Sequence, residues 1–298
     1  RCLGGIFLTK KISIIGIGLI GSSIARAYRA LESSIEINII DKSISNLEKG
    51  KLNKLGNSFS EIVDSKIEGS DLVFICTPIS AYENIFKKLN TLILSNSIIT
   101  DVGSSKCKVI DLAEKILVNK VFVPGHPIAG TEKSGPENGF KDLFKDRWFI
   151  STYCKLCDDE NINFVNSVWA SFGSKTVTMK SKDHDSIMAI TSHIPHLIAY
   201  NIVGTASGLE ENIKSEVIKF SASGFRDFTR IASSDPTMWR DIMLSNKEEI
   251  IALIEKFNSD IKETLDAIKS DNGKFLFEKF KKTKEIREKI IEAGLDKF

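Results

Sequence analysis

Residues 11–21 of the chain read KISIIGIGLIG, and this stretch decides the fold class. Its first half is rich in isoleucine, as in strands that are buried on both faces of a sheet. Its second half places Gly16, Gly18 and Gly21 at GxGxxG spacing, where a helix is predicted to begin at Leu19. In this context Gly16 permits a tight turn, Gly18 lets a pyrophosphate approach the backbone, and Gly21 lets the helix pack closely on the strand. The stretch therefore predicts a dinucleotide-binding loop at a helix N-terminus.

A carboxylate lies twenty residues after the last glycine, at the end of the second predicted strand. This residue, Asp41, is placed to accept hydrogen bonds from a ribose, and no arginine follows it to balance a 2′-phosphate. We therefore favour NAD over NADP. The alternative for Asp41 is a cap on the helix that begins near Ser43. The remaining predicted cofactor-binding residues lie in the loop and at the end of a later strand: Leu19, Ile20, Thr77 and Pro78.

Strands alternate with helices from this loop to about residue 178, whereas the rest of the chain shows only helical periodicity. The predicted strands lie at 11–16, 36–40, 58–59, 72–76, 98–100, 121–124, 148–152 and 175–178. Alternation at this spacing favours a parallel sheet with helices on both faces. We predict an α/β fold in which residues 1–178 form a Rossmann-type, doubly wound, mostly parallel sheet. Residues 179–298 are expected to form an all-helical domain.

The composition narrows the class of protein. Hydrophobic residues make up 42% of the 298 residues, and the net charge of +2 gives no field that would attract nucleic acid or a membrane surface. No apolar segment is long enough to span a bilayer. The five cysteines are odd in number and scattered, which is typical of reduced thiols, and Cys154 and Cys157 have CxxC spacing without a second pair for zinc. We expect a cytoplasmic protein without a metal site.

Polar residues follow neighbouring predicted strands, and parallel strands present their carboxyl ends at one edge of the sheet. Ser104 and Ser105 follow one strand, and His126 follows the next. A serine and a histidine in these positions can share a hydrogen bond. Imidazole can then accept a proton from a substrate hydroxyl while hydride leaves the same carbon. The alternative for either serine is a helix N-cap.

The other three histidines of the chain fall on one predicted helix, which begins at Ser181. They are His184, His193 and His196. The step of three between the last two leaves them on one face, with His184 about 120° away, although a kink at Pro195 would change that phase. A zinc site is the alternative for such a cluster, but no carboxylate or cysteine completes it at ligand spacing.

Three arginines lie close together after the predicted helix that carries the histidines, at Arg226, Arg230 and Arg240. Because a guanidinium binds a carboxylate through a planar fork, the cluster suits an anionic substrate. The alternative is a set of surface ion pairs with the neighbouring aspartates.

Together these segments resemble the prephenate/arogenate dehydrogenase family of tyrosine biosynthesis. The resemblance extends from Lys11 into the helix after Trp239, through the motifs GIGLIGSSIA, DVGSSK, GHPIAGTEKSG, SHIPHLIA and GFRDFTRIASSDPTMWRDI. It implies an NAD-dependent oxidoreductase that decarboxylates prephenate to 4-hydroxyphenylpyruvate, arogenate to tyrosine, or both. It also implies a homodimer formed through the helical domain, with neither a chorismate mutase before Lys11 nor an ACT domain after Phe298.

The resemblance assigns roles to individual residues. His126 would promote deprotonation of the ring hydroxyl, Ser104 would orient His126 and that hydroxyl, and Arg230 would anchor the ring carboxylate. The other implied substrate-binding residues would line the pocket, lie at its mouth or reach the partner subunit: His184, His193, His196, Asp227, Glu132 and Trp239.

Two other functions fit parts of the sequence. A β-hydroxyacid dehydrogenase also joins a Rossmann domain to helices, but it uses a lysine where this chain has SKDHDSIMAITSHIPHLIAY. A nucleotide-sensing module without catalysis would have no need of Ser104, His126 and Arg230 together. The residues leave open the choice between prephenate and arogenate, and whether residues 1–9 are native.

Overall fold

The computed structural model describes residues 9–93, 96–208 and 223–292. Within these residues the strands are β1 (Lys11–Ile15), β2 (Glu36–Ile40), β3 (Ser58–Ser60), β4 (Leu72–Ile75), β5 (Ile98–Asp101), β6 (Val121–Val123), β7 (Gly125–Pro127), β8 (Trp148–Thr152) and β9 (Lys175–Met179). The α-helices are α1 (Leu19–Leu31), α2 (Ile44–Leu52), α3 (Tyr82–Leu92), α4 (Cys107–Ile116), α5 (Asp159–Ser171), α6 (Ser181–Met188), α7 (Ile194–Ser207), α8 (Ser223–Thr229), α9 (Pro236–Ser245), α10 (Lys247–Lys269) and α11 (Gly273–Glu292).

The main sheet has six parallel strands in the order β3-β2-β1-β4-β5-β6. The order reverses between β1 and β4, so this sheet is doubly wound and its ligand crevice lies at the carboxyl ends of these two strands. A second sheet has the order β7-β8-β9, with β7 antiparallel to β8 and β8 parallel to β9. The predicted fold class, a doubly wound sheet followed by helices, is confirmed.

Aromatic residues pack on both faces of the main sheet. On one face Phe74 of β4 meets Tyr28 and Trp169 edge-to-face, with ring centroids 6.0 and 6.3 Å apart. On the other face Phe122 of β6 meets Phe86 of α3 at 5.4 Å. Because both faces are covered, the strands need continuous apolar runs, which is why they were recognisable in the sequence.

The predicted helix from Ser181 is interrupted by a π-helical turn, Ala189–His193. Pro195 follows this turn, and a proline clashes with the carbonyl group four residues before it in a regular helix. The wider turn relieves that conflict and shifts the helical phase between α6 and α7. This turn is the change of phase expected at Pro195, so the offset of about 120° for an uninterrupted helix does not apply.

The chain divides into two compact units, one ending at Glu249 and the other beginning at Ile250. In the first unit, α6 packs against α4, and α9 packs against the 3₁₀ turn Ile79–Ala81 that follows β4. The boundary near residue 178 thus stays a prediction. In the second unit, Lys279 of α11 donates to Thr264 Oγ1 of α10 at 2.8 Å and joins the two helices as a hairpin. Among the described residues, no helix is both long and apolar enough to cross a membrane.

Candidate active site

The glycine loop between β1 and α1 is a tight turn packed against the end of β4. Gly16 has φ +93°, and a Cβ atom there would lie 2.6 Å from the carbonyl oxygen of Cys76. A Cβ atom on Gly21 would lie 2.1 Å from the carbonyl oxygen of Gly16. Neither position can accept a larger residue, whereas a Cβ on Gly18 would have no neighbour within 4 Å. The loop therefore leaves open space at the helix N-terminus, where an anionic group can bind.

Asp41 ties the glycine loop to the turn after β2. Its Oδ2 atom accepts from the amide of Ile17 at 2.8 Å, and its Oδ1 atom accepts from the amide of Ser43 at 2.8 Å. The cap of α2 is Ser43, whose hydroxyl accepts from the amide of Asn46, so Asp41 is not the capping residue. A carboxylate has about four acceptor sites, and Asn46 supplies a third donor at 3.3 Å. One acceptor site therefore remains for a ribose hydroxyl.

Thr77 and Pro78 lie beside the glycine loop at the end of β4. The methyl group of Thr77 is 2.9 Å from the position that a Cβ atom on Gly16 would take. The Thr77 hydroxyl is buried and has no hydrogen-bond partner within the described part of the chain. Buried polar atoms normally have partners. This unsatisfied group, packed beside the glycine loop at the end of β4, fits a bound dinucleotide.

His126 lies on β7 and is hydrogen-bonded to a second histidine. Its Nδ1 atom is 2.9 Å from Nε2 of His184, and Nδ1 of His184 is 2.8 Å from Oδ1 of Asp185. All three side chains are buried. The Asp185 carboxylate also accepts from the amides of Lys106 and Cys107, at 2.7 and 2.9 Å, where α4 begins. We call Asp185, His184 and His126 the Asp–His–His relay.

The relay fixes which nitrogen of each imidazole carries a proton. Burial acts to raise the pKa of Asp185, but its bonds from His184 and from the Cys107 amide outweigh burial and lower it, so Asp185 is ionised and only accepts. Nδ1 of His184 must therefore donate, and Nε2 of neutral His184 accepts from Nδ1 of His126. Nε2 of His126 is left with a lone pair. Burial, and then the charges of His184, Lys106 and His193, lower the pKa of His126 well below 6.5, which keeps this nitrogen unprotonated at neutral pH.

A buried ion pair holds the residue before His126. Lys106 is fully buried, and its Nζ atom donates to Asp101 Oδ2 and to the carbonyl oxygen of Gly125, both at 2.6 Å. Asp101 Oδ1 accepts from the amide of Gly125 at 3.0 Å. The backbone of Gly125 is thus bound through both its donor and its acceptor. The pair fixes the start of β7 and with it the position of His126.

Asn246, which follows α9, sets the protonation of a third histidine. Its Nδ2 atom donates to the carbonyl oxygen of Asp185 at 2.8 Å and to Nδ1 of His193 at 3.2 Å. Because Nδ1 of His193 accepts, its proton lies on Nε2. Burial lowers the pKa of His193 to about 4. His193 is therefore a neutral hydrogen-bond donor at neutral pH, opposite in function to the acceptor His126.

His196 and Trp239 are stacked on each other in the same chain. Their ring centroids are 3.7 Å apart with an interplanar angle of 22°, and Trp239 is buried. Nδ1 of His196 donates to the carbonyl oxygen of Ser192 at 3.0 Å, which leaves its Nε2 atom as an acceptor. The predicted role of Trp239 in the partner subunit's site stays a prediction.

Arg230 is paired with Glu132, and the pair is exposed. Nη1 of Arg230 lies 3.0 Å from Oε2 of Glu132, and 60% of the Arg230 side chain is exposed. Asp227 is also exposed, on α8. Arg240 instead pairs with the adjacent Asp241. The surface-ion-pair alternative is therefore correct for Arg240, whereas Arg230 is joined to a residue of the GHPIAGTEKSG segment.

Among the described residues His126 is hydrogen-bonded through Nδ1 to His184 and not to Ser104, and its Nε2 atom is free, so the predicted role of Ser104 stays a prediction. The main chain of Ser104 instead lies next to His193 and acts to raise the pKa of that imidazole. The sequence prediction missed Asp185, Lys106 and Asn246. For Asp185 a signal existed, since it directly follows a histidine within a segment already singled out.

The site has the parts of a nicotinamide-dependent dehydrogenase, and the comparisons with known proteins identify which one. Residues 24–178 match the nucleotide-binding domain of prephenate dehydrogenase, and residues 180–282 match its dimerization domain. The chain belongs to the prephenate dehydrogenase family. The family predicted from the sequence is confirmed, and the β-hydroxyacid dehydrogenase alternative is less well supported.

Individual relatives cover nearly the whole chain. The cyclohexadienyl dehydrogenase of Zymomonas mobilis is 36% identical over 93% of this chain and 95% of its own length. The prephenate dehydrogenase of Bacillus subtilis is 33% identical over 94% of this chain and 76% of its own. The prephenate dehydrogenase of Aquifex aeolicus, solved with hydroxyphenyl propionate and NAD+, is 32% identical with a TM-score of 0.87, covering 94% of this chain and 98% of that one. These relatives are oxidoreductases, as predicted.

Proposed function

We propose that this chain catalyses the NAD-dependent oxidative decarboxylation of prephenate, of arogenate, or of both. The observation that carries the proposal is the Asp–His–His relay, which leaves Nε2 of His126 free as an acceptor. The preceding residue, Gly125, is bound to Asp101 at the carboxyl end of β5 in the nucleotide-binding sheet. The names of the two curated relatives, cyclohexadienyl and prephenate dehydrogenase, agree with it.

His126 is proposed as the general base. The ring carbon of the substrate carries both a hydroxyl group and the hydrogen that leaves as hydride. Nε2 of His126 accepts the hydroxyl proton as that hydride departs, so positive charge does not build up on the oxygen. The Asp–His–His relay stabilises the imidazolium that forms, because His184 accepts from its Nδ1–H. His193, which presents Nε2–H, is proposed to donate a hydrogen bond to the substrate.

Arg230 is proposed to hold the ring carboxylate that departs as carbon dioxide. In the structure Arg230 is paired with Glu132, and exposed ion pairs of this kind contribute little to stability. A substrate carboxylate can therefore replace Glu132 at low cost. The electrons of the broken C–C bond enter the ring, which becomes aromatic, and this makes the step effectively irreversible. Arg230 must not bind the carboxylate too tightly, since uniform ground-state binding does not raise turnover.

NAD is the proposed cofactor, and when bound it accepts the hydride. The glycine loop would hold its pyrophosphate, Asp41 its adenosine ribose, and Thr77 the nicotinamide half. The remaining acceptor site on Asp41 suits a 2′-hydroxyl, whereas a 2′-phosphate would meet like charge. We therefore propose that NADP is used less well.

The test of the proposed function is NADH formation by the purified protein, with prephenate and arogenate offered in parallel and NADP as a control. Turnover with either substrate would establish the reaction, and the ratio of the two would give the specificity. If protein that binds NAD turned over neither substrate, the proposal would be wrong.

Arg230→Ala is expected to raise the KM for the cyclohexadienyl substrate by about 10–100-fold, because a charge-assisted hydrogen bond to a carboxylate contributes roughly 1.5–3 kcal/mol. The KM for NAD should not change. Steady-state kinetics with each substrate varied separately provides the measurement, and Arg226→Ala, which removes an exposed arginine of α8, is the matched control. An effect on NAD alone would remove Arg230 from the substrate site.

We also propose that the chain is a homodimer formed through the second unit. The hairpin of α10 and α11 exposes apolar side chains along one groove, and those on α10 are Phe257, Ile261, Leu265 and Ile268. Apolar groups in such a continuous row mark an interaction surface. The match of residues 180–282 to a dimerization domain supports a second copy as the partner.

Leu265→Glu is expected to weaken the dimer at least about a hundredfold, since it would bury an unpaired charge at roughly 3 kcal/mol or more. Analytical ultracentrifugation over a range of concentrations gives the dissociation constant. The matched control is Leu52→Glu, which changes an equally apolar but highly exposed residue of α2. Equal dimer stability in both variants would place the interface elsewhere.

A further inference from the structure

One motif singled out in the sequence has no part in the proposed reaction, namely the CxxC pair. Cys154 and Cys157 lie in the connection between β8 and α5, and their sulfur atoms are 3.5 Å apart. A disulfide requires about 2.05 Å, so closing the remaining distance needs about 1.5 Å of movement. Both thiols are half-buried and therefore reachable from solvent.

The turn between the two cysteines is held in place by the neighbouring elements. The amide of Lys155 donates to Glu114 Oε1 of α4 at 2.9 Å. The carbonyl oxygen of Leu156 accepts from the amide of Phe122 at 3.1 Å. Because the turn is already fixed with both sulfurs on one side, little chain entropy opposes their joining.

The CxxC turn covers the outer edge of the main sheet. β6 is the last strand of that sheet, and its residue Phe122 bonds outward to the turn through both backbone groups. The carbonyl oxygen of Phe122 accepts from the Cys154 thiol at 3.2 Å. Cys154 packs against the apolar cluster on one face of the sheet and Cys157 against the cluster on the other. The pair thus lies where the chain passes around the sheet edge.

The two thiols are not equivalent. Cys157 directly precedes Asp158, the N-cap of α5, so it lies near the positive end of a helix dipole. The hydrogen bond between the two sulfur atoms lowers the pKa of Cys157 and raises that of Cys154. The charges of Asp158 and Asp159 oppose the effect on Cys157 but do not cancel it. Cys157 is therefore the nucleophile and Cys154 the thiol that resolves.

We propose that Cys154 and Cys157 form a reversible disulfide by exchange with a low-molecular-mass disulfide such as oxidised glutathione. The Cys157 thiolate attacks one sulfur of oxidised glutathione, the S–S bond breaks, and the first glutathione leaves as a thiolate that takes a proton. Cys154 then loses its proton to solvent and attacks the sulfur of Cys157 in the mixed disulfide. The second glutathione leaves. Two protein thiols are oxidised and one glutathione disulfide is reduced to two thiols.

The test uses the full-length protein equilibrated in buffers of increasing oxidised-to-reduced glutathione ratio. Free thiols are alkylated under denaturing conditions, and the peptide that contains both cysteines is measured by mass spectrometry. We expect this peptide to lose two hydrogen atoms and to resist alkylation, fully reversed by excess dithiothreitol. Cys107→Ser is the matched control and should behave as the unchanged protein, because burial raises the pKa of Cys107 to about 11.

Single variants test the order of the two steps. In Cys154→Ser, glutathione should remain attached to Cys157 as a mixed disulfide. In the folded, unchanged protein, Cys157 should react with iodoacetamide at least about ten times faster than Cys107. In Cys157→Ser, adduct formation should be slower by a similar factor. Circular dichroism confirms that each variant is folded, and Cys154→Ala replaces Cys154→Ser if it is not. The proposal is overturned if both thiols stay free at every ratio, or if adducts accumulate on the pair in the unchanged protein without a disulfide.

Discussion

Replacing His126 by asparagine is expected to lower kcat by about 10²–10⁴-fold, with the KM for substrate and for NAD largely kept. Asparagine can still donate to His184 through its amide, so the packing of the site is retained. It has no basic nitrogen, however, and cannot take the hydroxyl proton. Stopped-flow and steady-state measurement of NADH formation provides the test, and unchanged NAD binding is the control for folding.

The pH dependence of kcat/KM is an independent test of His126 as the base. Burial, with the charges of His184 and Lys106, lowers the pKa of His126 well below 6.5, so the base form persists at neutral pH. The kcat/KM of the unchanged enzyme should therefore fall only as the pH drops through that lowered pKa. This acidic limb should vanish in His126→Asn. An unchanged rate, or an acidic limb that survives, would show that another group is the base.

Asp185→Asn is expected to lower kcat by about 10²–10⁴-fold, although Asp185 is not expected to touch the substrate. The asparagine amide nitrogen meets a backbone donor in either orientation, the Lys106 amide at the Oδ1 position or the Cys107 amide at the Oδ2 position. The expected result is for the orientation in which that nitrogen faces His184. An amide donor would force Nδ1 of His184 to accept, and Nε2 would then donate to His126. Nε2 of His126 would carry the proton, and the base would be lost. Serine proteases lose activity through the same tautomer change when the aspartate of their catalytic triad is replaced by asparagine.

A double-mutant cycle separates this effect from simple destabilisation. If Asp185 acts through His126, then Asp185→Asn should cost little further activity in a His126→Asn background. Asp183→Asn is the matched control, because Asp183 is an exposed carboxylate on the same helix, α6. Thermal unfolding reports the loss of the bonds to α4. If the losses in kcat from the two single substitutions added up in the double variant, Asp185 would act independently of His126 and its role would be structural.

The fold was predictable because its signals are local. The glycine loop, the isoleucine-rich strands and the polar strand ends each lie within a few residues of sequence. The contacts of the site are not local: His126 and His184 are separated by 58 residues, and the Lys106 amide and Asp185 by 79. Which residues meet over such distances depends on helix phase, and the π-helical turn before Pro195 changed that phase.

The predicted hydrogen bond of Ser104 to His126 illustrates the difference. Neighbouring strand ends do bring these two segments together, so the general location was correct. The partner of an imidazole depends on which side chain reaches it at hydrogen-bond distance, and His184 reaches it from α6. The role of Lys106 could not be predicted either, because nothing in the sequence shows that a lysine beside a strand end is buried.

The pair of Lys106 and Asp101 has a consequence for how this protein can change over generations. Losing either charge alone would strand the other in the interior, at a cost of about 3–5 kcal/mol, whereas exchanging both for apolar residues is often tolerated. Substitutions at these two positions are therefore coupled, and the ion pair can be replaced without a large loss of stability only if both residues change together. Such a double change would also remove the positive charge that helps keep His126 unprotonated. In a descendant with apolar residues at both positions, burial would still lower the pKa of His126, but protonation would be opposed less strongly and the acidic limb would shift toward higher pH.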